Sequence, residues 1–237
     1  MKHRSQILFF GIFFLIVVSC KKEEQKVSEP QTGTVTDFDG NTYQTVKIGN
    51  QWWMAENLKV KTYNDGTPIN EVLATDGDSI WANQTNGAFC TVNVGYGLLY
   101  NCFTVKGTRK IAPAGWHIPT DQEWKLMEQE IGMSEEEVDK TAWRGTYEGE
   151  KLMVKSSIGW PTTSIAFGTN ESGFSALPGG CRLFSGEINS ASSTAFWWTS
   201  TSSGEEVWYR YLDYQKTGVF RQHTYKRYGM SVRCVKD

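Results

Sequence analysis

The feature that most constrains this chain is a twelve-residue apolar run, Ile7 to Val18, broken only by Gly11 and closed by Ser19-Cys20. Lys2, His3 and Arg4 precede it. A basic start, a short apolar stretch and a small residue at the boundary are the parts of an export signal. The run is too short to cross a hydrocarbon layer of roughly 30 Å. Residues 1–19 are therefore expected to be removed, and the fold must be built from the residues after them. No later segment is long and apolar enough to span a bilayer. The 24 basic and 26 acidic residues give a net charge of −2, and losing Lys2 and Arg4 makes it −4. That balance leaves no electrostatic footprint for nucleic acid.

Val17-Val18-Ser19-Cys20 resembles the lipobox of bacterial lipoproteins. The resemblance implies acylation of the Cys20 thiol and an anchor in membrane lipid. Residues 20–33 are polar and without apolar period, as in a solvated tether. The Lys22-Glu23-Glu24 step resembles the surface-export signal of Bacteroidota lipoproteins, which implies an outer-membrane protein displayed on the cell surface. Residues 34–237 form one domain, and an aromatic content of 14% is enough to fill its core.

Four cysteines remain in that domain: Cys90, Cys102, Cys181 and Cys234. An even count in an exported chain predicts disulfides, and four thiols allow three pairings. The preferred one is Cys181–Cys234 with Cys90–Cys102. No C-x-x-C pair occurs, and His117 and His223 are the only histidines of the mature chain, so neither a metal nor another cofactor is expected.

Along the chain, Thr34 to Ile48 reads as a hairpin turning at Asp39-Gly40, with no calcium-loop spacing around it. Gln51 to Leu58 reads as a strand and Asn64 to Asn93 as surface loop. Thr120 and Glu123 form a capping-box pair ahead of a helix whose face carries Trp124, Met127 and Ile131, ending at Gly132. Ser134 and Glu137 predict a second capping box on a shorter helix. Strands come next at Phe196–Ser200, Glu206–Leu212 and Gly229–Val235. Strands with two helices inserted between them give an α+β class.

Several segments together resemble the Fibrobacter succinogenes major paralogous domain. They are Asp39-Gly40-Asn41-Thr42-Tyr43, Trp53 to Leu58, Ala114 to Thr120, Glu171 to Gly180, Trp198 to Thr201 and Ser231 to Asp237. The resemblance implies a C-type-lectin-like fold: a mixed, mainly antiparallel sheet with two helices and long loops.

For function, the lipid anchor, the tether and the aromatic residues point to a non-catalytic binding or adhesion module with a glycan or surface protein as ligand. Trp208, Tyr211, Tyr225 and Tyr228 are the candidate contact residues, because aromatic faces stack on sugars and peptides. The Glu-Pro-Asn and Trp-Asn-Asp triplets of calcium-dependent lectins are absent from the sequence. Two alternatives stand beside this reading. Trp116 to Trp124 resembles a segment of formylglycine-generating enzymes, and a subunit role in a surface assembly would use the same anchor. No catalytic residue is assigned, and His117 and Arg210 are read as satisfied structural groups.

Overall fold

The computed structural model describes residues 30–155, 159–163 and 165–237. The export signal, Cys20 and the first ten residues of the tether lie outside the described residues.

β1 (Thr32–Thr36) and β2 (Thr42–Ile48) form the expected hairpin, with Thr36 opposite Thr42. β3 (Gln51–Met54) runs antiparallel to β2 and ends before the rest of the predicted strand. The next stretch holds β4 (Asn70–Glu71), α1 (Asp78–Ala82), β5 (Ala88–Cys90), β6 (Leu99–Asn101) and α2 (Cys102–Lys106). Then come β7 (Trp116–His117), α3 (Asp121–Glu130), α4 (Glu135–Val138), β8 (Ala142–Arg144) and α5 (Glu148–Leu152). The last third is made of strands only. They are β9 (Cys181–Arg182), β10 (Ile188–Asn189), β11 (Thr194–Ser203), β12 (Glu206–Asp213), β13 (Val219–Thr224), β14 (Gly229–Met230) and β15 (Val235–Lys236).

These strands build three sheets, ordered β1-β2-β3-β15-β7, β10-β9-β14-β6-β5-β4 and β11-β12-β13-β8. Among the described residues β4 and β5 are the one strand pair that runs parallel, beside isolated parallel bridges such as Gly180–Ala195 and Trp197–Ser231. The expectation of a C-type-lectin-like domain with a single mixed sheet and two helices is therefore wrong. Three sheets and, among the described residues, five α-helices replace it. The physical reason is that pairing is a long-range property. The predicted strand Gly229–Val235 is divided, so that β14 joins β6 and β9 while β15 joins β3 and β7. The missed helices are five residues or fewer in α1, α2 and α5, too short to complete an apolar period. No helix among the described residues is long and apolar enough to cross a membrane.

Strand alternation distributes the tryptophans between cores. Trp197 and Trp198 are neighbours on β11, yet Trp197 enters a cluster with Trp53, Trp124 and Phe174 while Trp198 enters one with Tyr43 and Tyr100. In the first cluster the Trp53 and Trp124 rings meet edge to face at 5.1 Å. A third, small cluster surrounds the buried Trp81.

The predicted disulfides are also corrected. Cys90, Cys102, Cys181 and Cys234 are all free thiols, and all are buried. Cys90 sits opposite Leu99, and Cys102 lies three residues beyond that pairing, past the end of β6 at the start of α2, about 10 Å of extended chain away. A disulfide needs Cα atoms within about 7 Å. Cys181 belongs to β9, whereas Cys234 immediately precedes β15 in a different sheet.

Candidate functional site

The scaffold begins at α3. Its capping box forms as expected: the Thr120 hydroxyl accepts from the Glu123 amide, and the Glu123 carboxylate accepts from the Thr120 amide. The second predicted box does not form. Ser134 precedes α4 without a side-chain cap, and the Glu137 carboxylate turns instead to Lys140 and the Gly145 amide. One face of α3 carries two buried carboxylates onto the four-stranded sheet. Glu128 binds Arg144 from β8 at 2.8 Å and Arg210 from β12 at 2.7 Å. Asp121 binds Arg210 at 2.7 Å and Arg221 from β13 at 2.7 Å. Burial alone would raise the Asp121 pKa, but hydrogen bonds from Arg221 and Arg210 outweigh it and hold the carboxyl well below its usual range. Arg210 is thus a structural ion-pair residue, as read from the sequence.

The candidate aromatic residues separate across this sheet. Trp208 shares the α3 face, where the Arg221 guanidinium lies 3.9 Å from its ring centroid and His223 meets it edge to face. Tyr211 is on the opposite face, in a cross-strand row with Phe196, Phe220 and Trp143. Its ring stacks on Phe196 at 4.4 Å, and its hydroxyl is bound by Asp213. The rings of this row contact one another, and Tyr211 is half-buried among them.

Tyr225 and Tyr228 come together elsewhere, at the turn joining β13 to β14. Opposite them stands Phe184, at the tip of the β9–β10 hairpin, with ring centroids 5.9 Å from Tyr225 and 5.7 Å from Tyr228. Phe184 is 47% and Tyr225 60% exposed. With Phe103 of α2, Glu205, Lys226 and Arg227 they line a cleft of about 490 Å³. Tyr228 backs it, facing a smaller cavity shared with Cys181 and Tyr209.

The cleft is loop-built but firmly held. The Arg227 carbonyl accepts from the Trp81 indole at 2.7 Å, and the Lys226 carbonyl accepts from the first amide of α2 at 2.8 Å. Arg182 stacks on Trp81 and donates to the carbonyls of Gly186 and Val72, fixing the hairpin. Gly186 has φ +109°, and a Cβ there would collide with Asp78 backbone, so only glycine fits. Trp81 and Val72 lie inside the segment read as surface loop, which therefore supplies the anchor of the cleft.

A second cavity, also about 490 Å³, opens on the other side of α2. Its lining includes Arg109, Lys110, His117, Ser200 and Asp237. His117 Nε2 contacts Glu123 at 2.7 Å and Nδ1 contacts Asp237 at 2.6 Å. Burial would lower its pKa, but the hydrogen bonds to Asp237 and Glu123 win and raise it. With both ring nitrogens engaged by carboxylates, the imidazole is not placed to take a proton from a bound substrate. The buried thiols are equally unreactive in character, since burial pushes Cys181 and Cys102 up to about 12 and Cys90 to about 11. Among the described residues no group of three or more His, Cys, Asp or Glu could hold a metal ion.

Three of the six segments that carried the family resemblance, those holding Asn57, Phe174 and Arg233, meet in one buried knot. Asn57 Oδ1 accepts from the Trp197 indole at 2.9 Å and from Arg233 at 2.8 Å. Arg233 also donates to the carbonyls of Phe174 and Ser175 and stacks on Phe174 at 4.1 Å. It has no carboxylate partner among the described residues, and burial pulls its pKa down to about 9. Residues 46–236 match the Fibrobacter succinogenes major domain. The chain belongs to that family. No curated protein and no solved structure matches the chain. In this Fibrobacter succinogenes major domain both the buried knot and the cleft fall within the matched residues.

Of the cleft residues, sequence reasoning missed Phe103, Phe184, Glu205, Lys226 and Arg227. A usable signal for Phe184 was the Ser185-Gly186 turn inside Cys181–Asn189, which puts an aromatic residue at a hairpin tip. Nothing local marked Phe103 or Arg227.

Proposed function

We propose that this protein is a lipid-anchored envelope lipoprotein whose folded domain is a non-catalytic binding module displayed on the outer surface. Cys20 is the lipidation site and residues 20–33 the tether. The ligand seat is the cleft that Phe184 and Tyr225 line side by side. One observation carries this reading: two large aromatic rings stand about half exposed at the mouth of a cleft of about 490 Å³, with charged side chains at its rim. Exposed aromatics held by rigid neighbours supply contact area at low entropic cost. The seat differs from the sequence expectation. Tyr225 stays in it, Tyr228 only backs it, Trp208 and Tyr211 leave it, and Phe184 enters.

The test is capture of the full chain, purified in neutral detergent, on a glycan array with and without chelator, beside Tyr225→Ala and Phe184→Ala. Chelator-insensitive binding lost in both variants supports the reading. Binding that survives both substitutions removes the cleft from it. Protease shaving and antibody labelling of intact cells test display: protection of the domain refutes the outer-face placement.

A further inference from the structure

The cleft does not stand alone electrostatically. Lys226 and Arg227 form its rim, and the first amide of α2 is bonded to the Lys226 carbonyl. α2 spans only about 7.5 Å at 1.5 Å per residue. At its far end Lys106 donates to the Ser200 carbonyl at 2.6 Å, and Ser200 lines the second cavity with Arg109 and Lys110. Five cations thus lie along one path: Arg227, Lys226, Lys106, Arg109 and Lys110. The acids nearby are few. Glu205 pairs with Lys226 at 3.1 Å and is itself 99% exposed. Asp65 feels the charge of Arg109, and the carboxylates of Glu123 and Asp237 are committed to His117. Among the described residues the ion pairs include none of Lys106, Arg109, Lys110 or Arg227. This positive strip sits on a chain whose formal charge is negative.

Resting on the cleft as ligand seat, we propose that its occupant is an acidic polysaccharide, a glycan bearing carboxylate or sulfate groups. One sugar packs against the exposed surfaces of Phe184 and Tyr225, whose rings meet edge to face at 5.9 Å, its charge meets Arg227, and the chain crosses α2 towards Arg109 and Lys110. Sugar rings have apolar C–H faces that suit exposed aromatic rings, and acidic substituents suit guanidinium groups. A neutral glycan would use the rings and leave the cations idle. A nucleic acid would use the cations, and its phosphates would make the strip the main determinant of affinity.

The experiment measures binding of the full chain in neutral detergent to oligogalacturonate, to a sulfated heparin oligosaccharide, to a neutral xylan oligosaccharide and to single-stranded DNA of matched charge. The proposal expects at least one acidic glycan to bind about tenfold or more tightly than the neutral one, and to weaken as salt rises. Arg227→Gln and Lys110→Gln each lower acidic-glycan affinity roughly fivefold, about 1 kcal/mol. Tyr225→Ala weakens the same ligand more. Equal binding of acidic and neutral glycans, with loss in Tyr225→Ala alone, overturns the acidic ligand and leaves the cleft reading standing. DNA binding as tight as the acidic glycans, dependent on Arg227 and indifferent to Tyr225, overturns the glycan. No binding to any of the four overturns this proposal and turns the cleft reading towards a protein ligand.

Discussion

Replacing Glu128 by glutamine should expose how α3 is held to the four-stranded sheet. Glu128 has a fully buried side chain and accepts from Arg144 at 2.8 and 2.9 Å and from Arg210 at 2.7 Å. Around it three buried guanidiniums, those of Arg144, Arg210 and Arg221, face two carboxylates, Glu128 and Asp121. Glutamine keeps the shape but removes a charge, so Asp121 alone must balance three cations out of contact with water. Breaking a buried pair from one side costs about 3–5 kcal/mol, because the remaining charge stays desolvated. For a domain near two hundred residues, each kcal/mol is about 2–4 °C, so the melting midpoint should fall by about 6–20 °C. The assay is thermal and urea unfolding of the purified full chain, monitored by tryptophan fluorescence. The double variant Glu128→Gln with Arg144→Met removes a cation as well and should recover more than about 1 kcal/mol of the loss. A single-variant loss under about 1 kcal/mol, or a double variant no more stable than the single, would refute the charge-balance argument.

Three further outcomes are expected. The raised pKa of His117 makes its ion pairs with Glu123 and Asp237 fully stabilising below the unfolded histidine value of about 6.5. That contribution is lost as pH rises through the folded value, so the melting midpoint should decline across this window in the native chain and less in His117→Gln; parallel pH profiles would contradict it. The four buried thiols should resist a thiol reagent until the protein unfolds, and a reductant should leave the midpoint unchanged; a fall on reduction would mean that bridges exist after all. Gly186→Ala should destabilise by about 1–3 kcal/mol and disturb the Phe184 hairpin, because a side chain there collides with Asp78 backbone; unchanged stability and unchanged ligand binding would count against the close approach.

Legibility in the sequence followed the range of each interaction. The Thr120–Glu123 cap, the hairpin turning at Asp39-Gly40 and the apolar face Trp124, Met127, Ile131 were readable, because each is decided within a few residues. The second capping box failed although its spacing was right. Glu137 found Lys140 and the Gly145 amide, competitors that a local pattern does not weigh. Counting cysteines also failed as a guide to bridges. Four thiols in one domain say nothing of the separations that strand register then imposes.

By itself the sequence determined the family, the hairpin, the capped helix α3 and the aromatic supply of the cores. Tertiary structure decided which of those aromatics are free. Trp208 and Tyr211 lie three residues apart on one strand, so alternation sent them to opposite faces, each to be covered by partners distant in the chain. Tyr225 kept its exposure because it sits at a turn pinned from below by Trp81, out of a segment with no visible periodicity of its own. The cleft exists because helix α2 and three turns from distant parts of the chain meet there. Such a meeting depends on how the three sheets pack, and no local pattern encodes it.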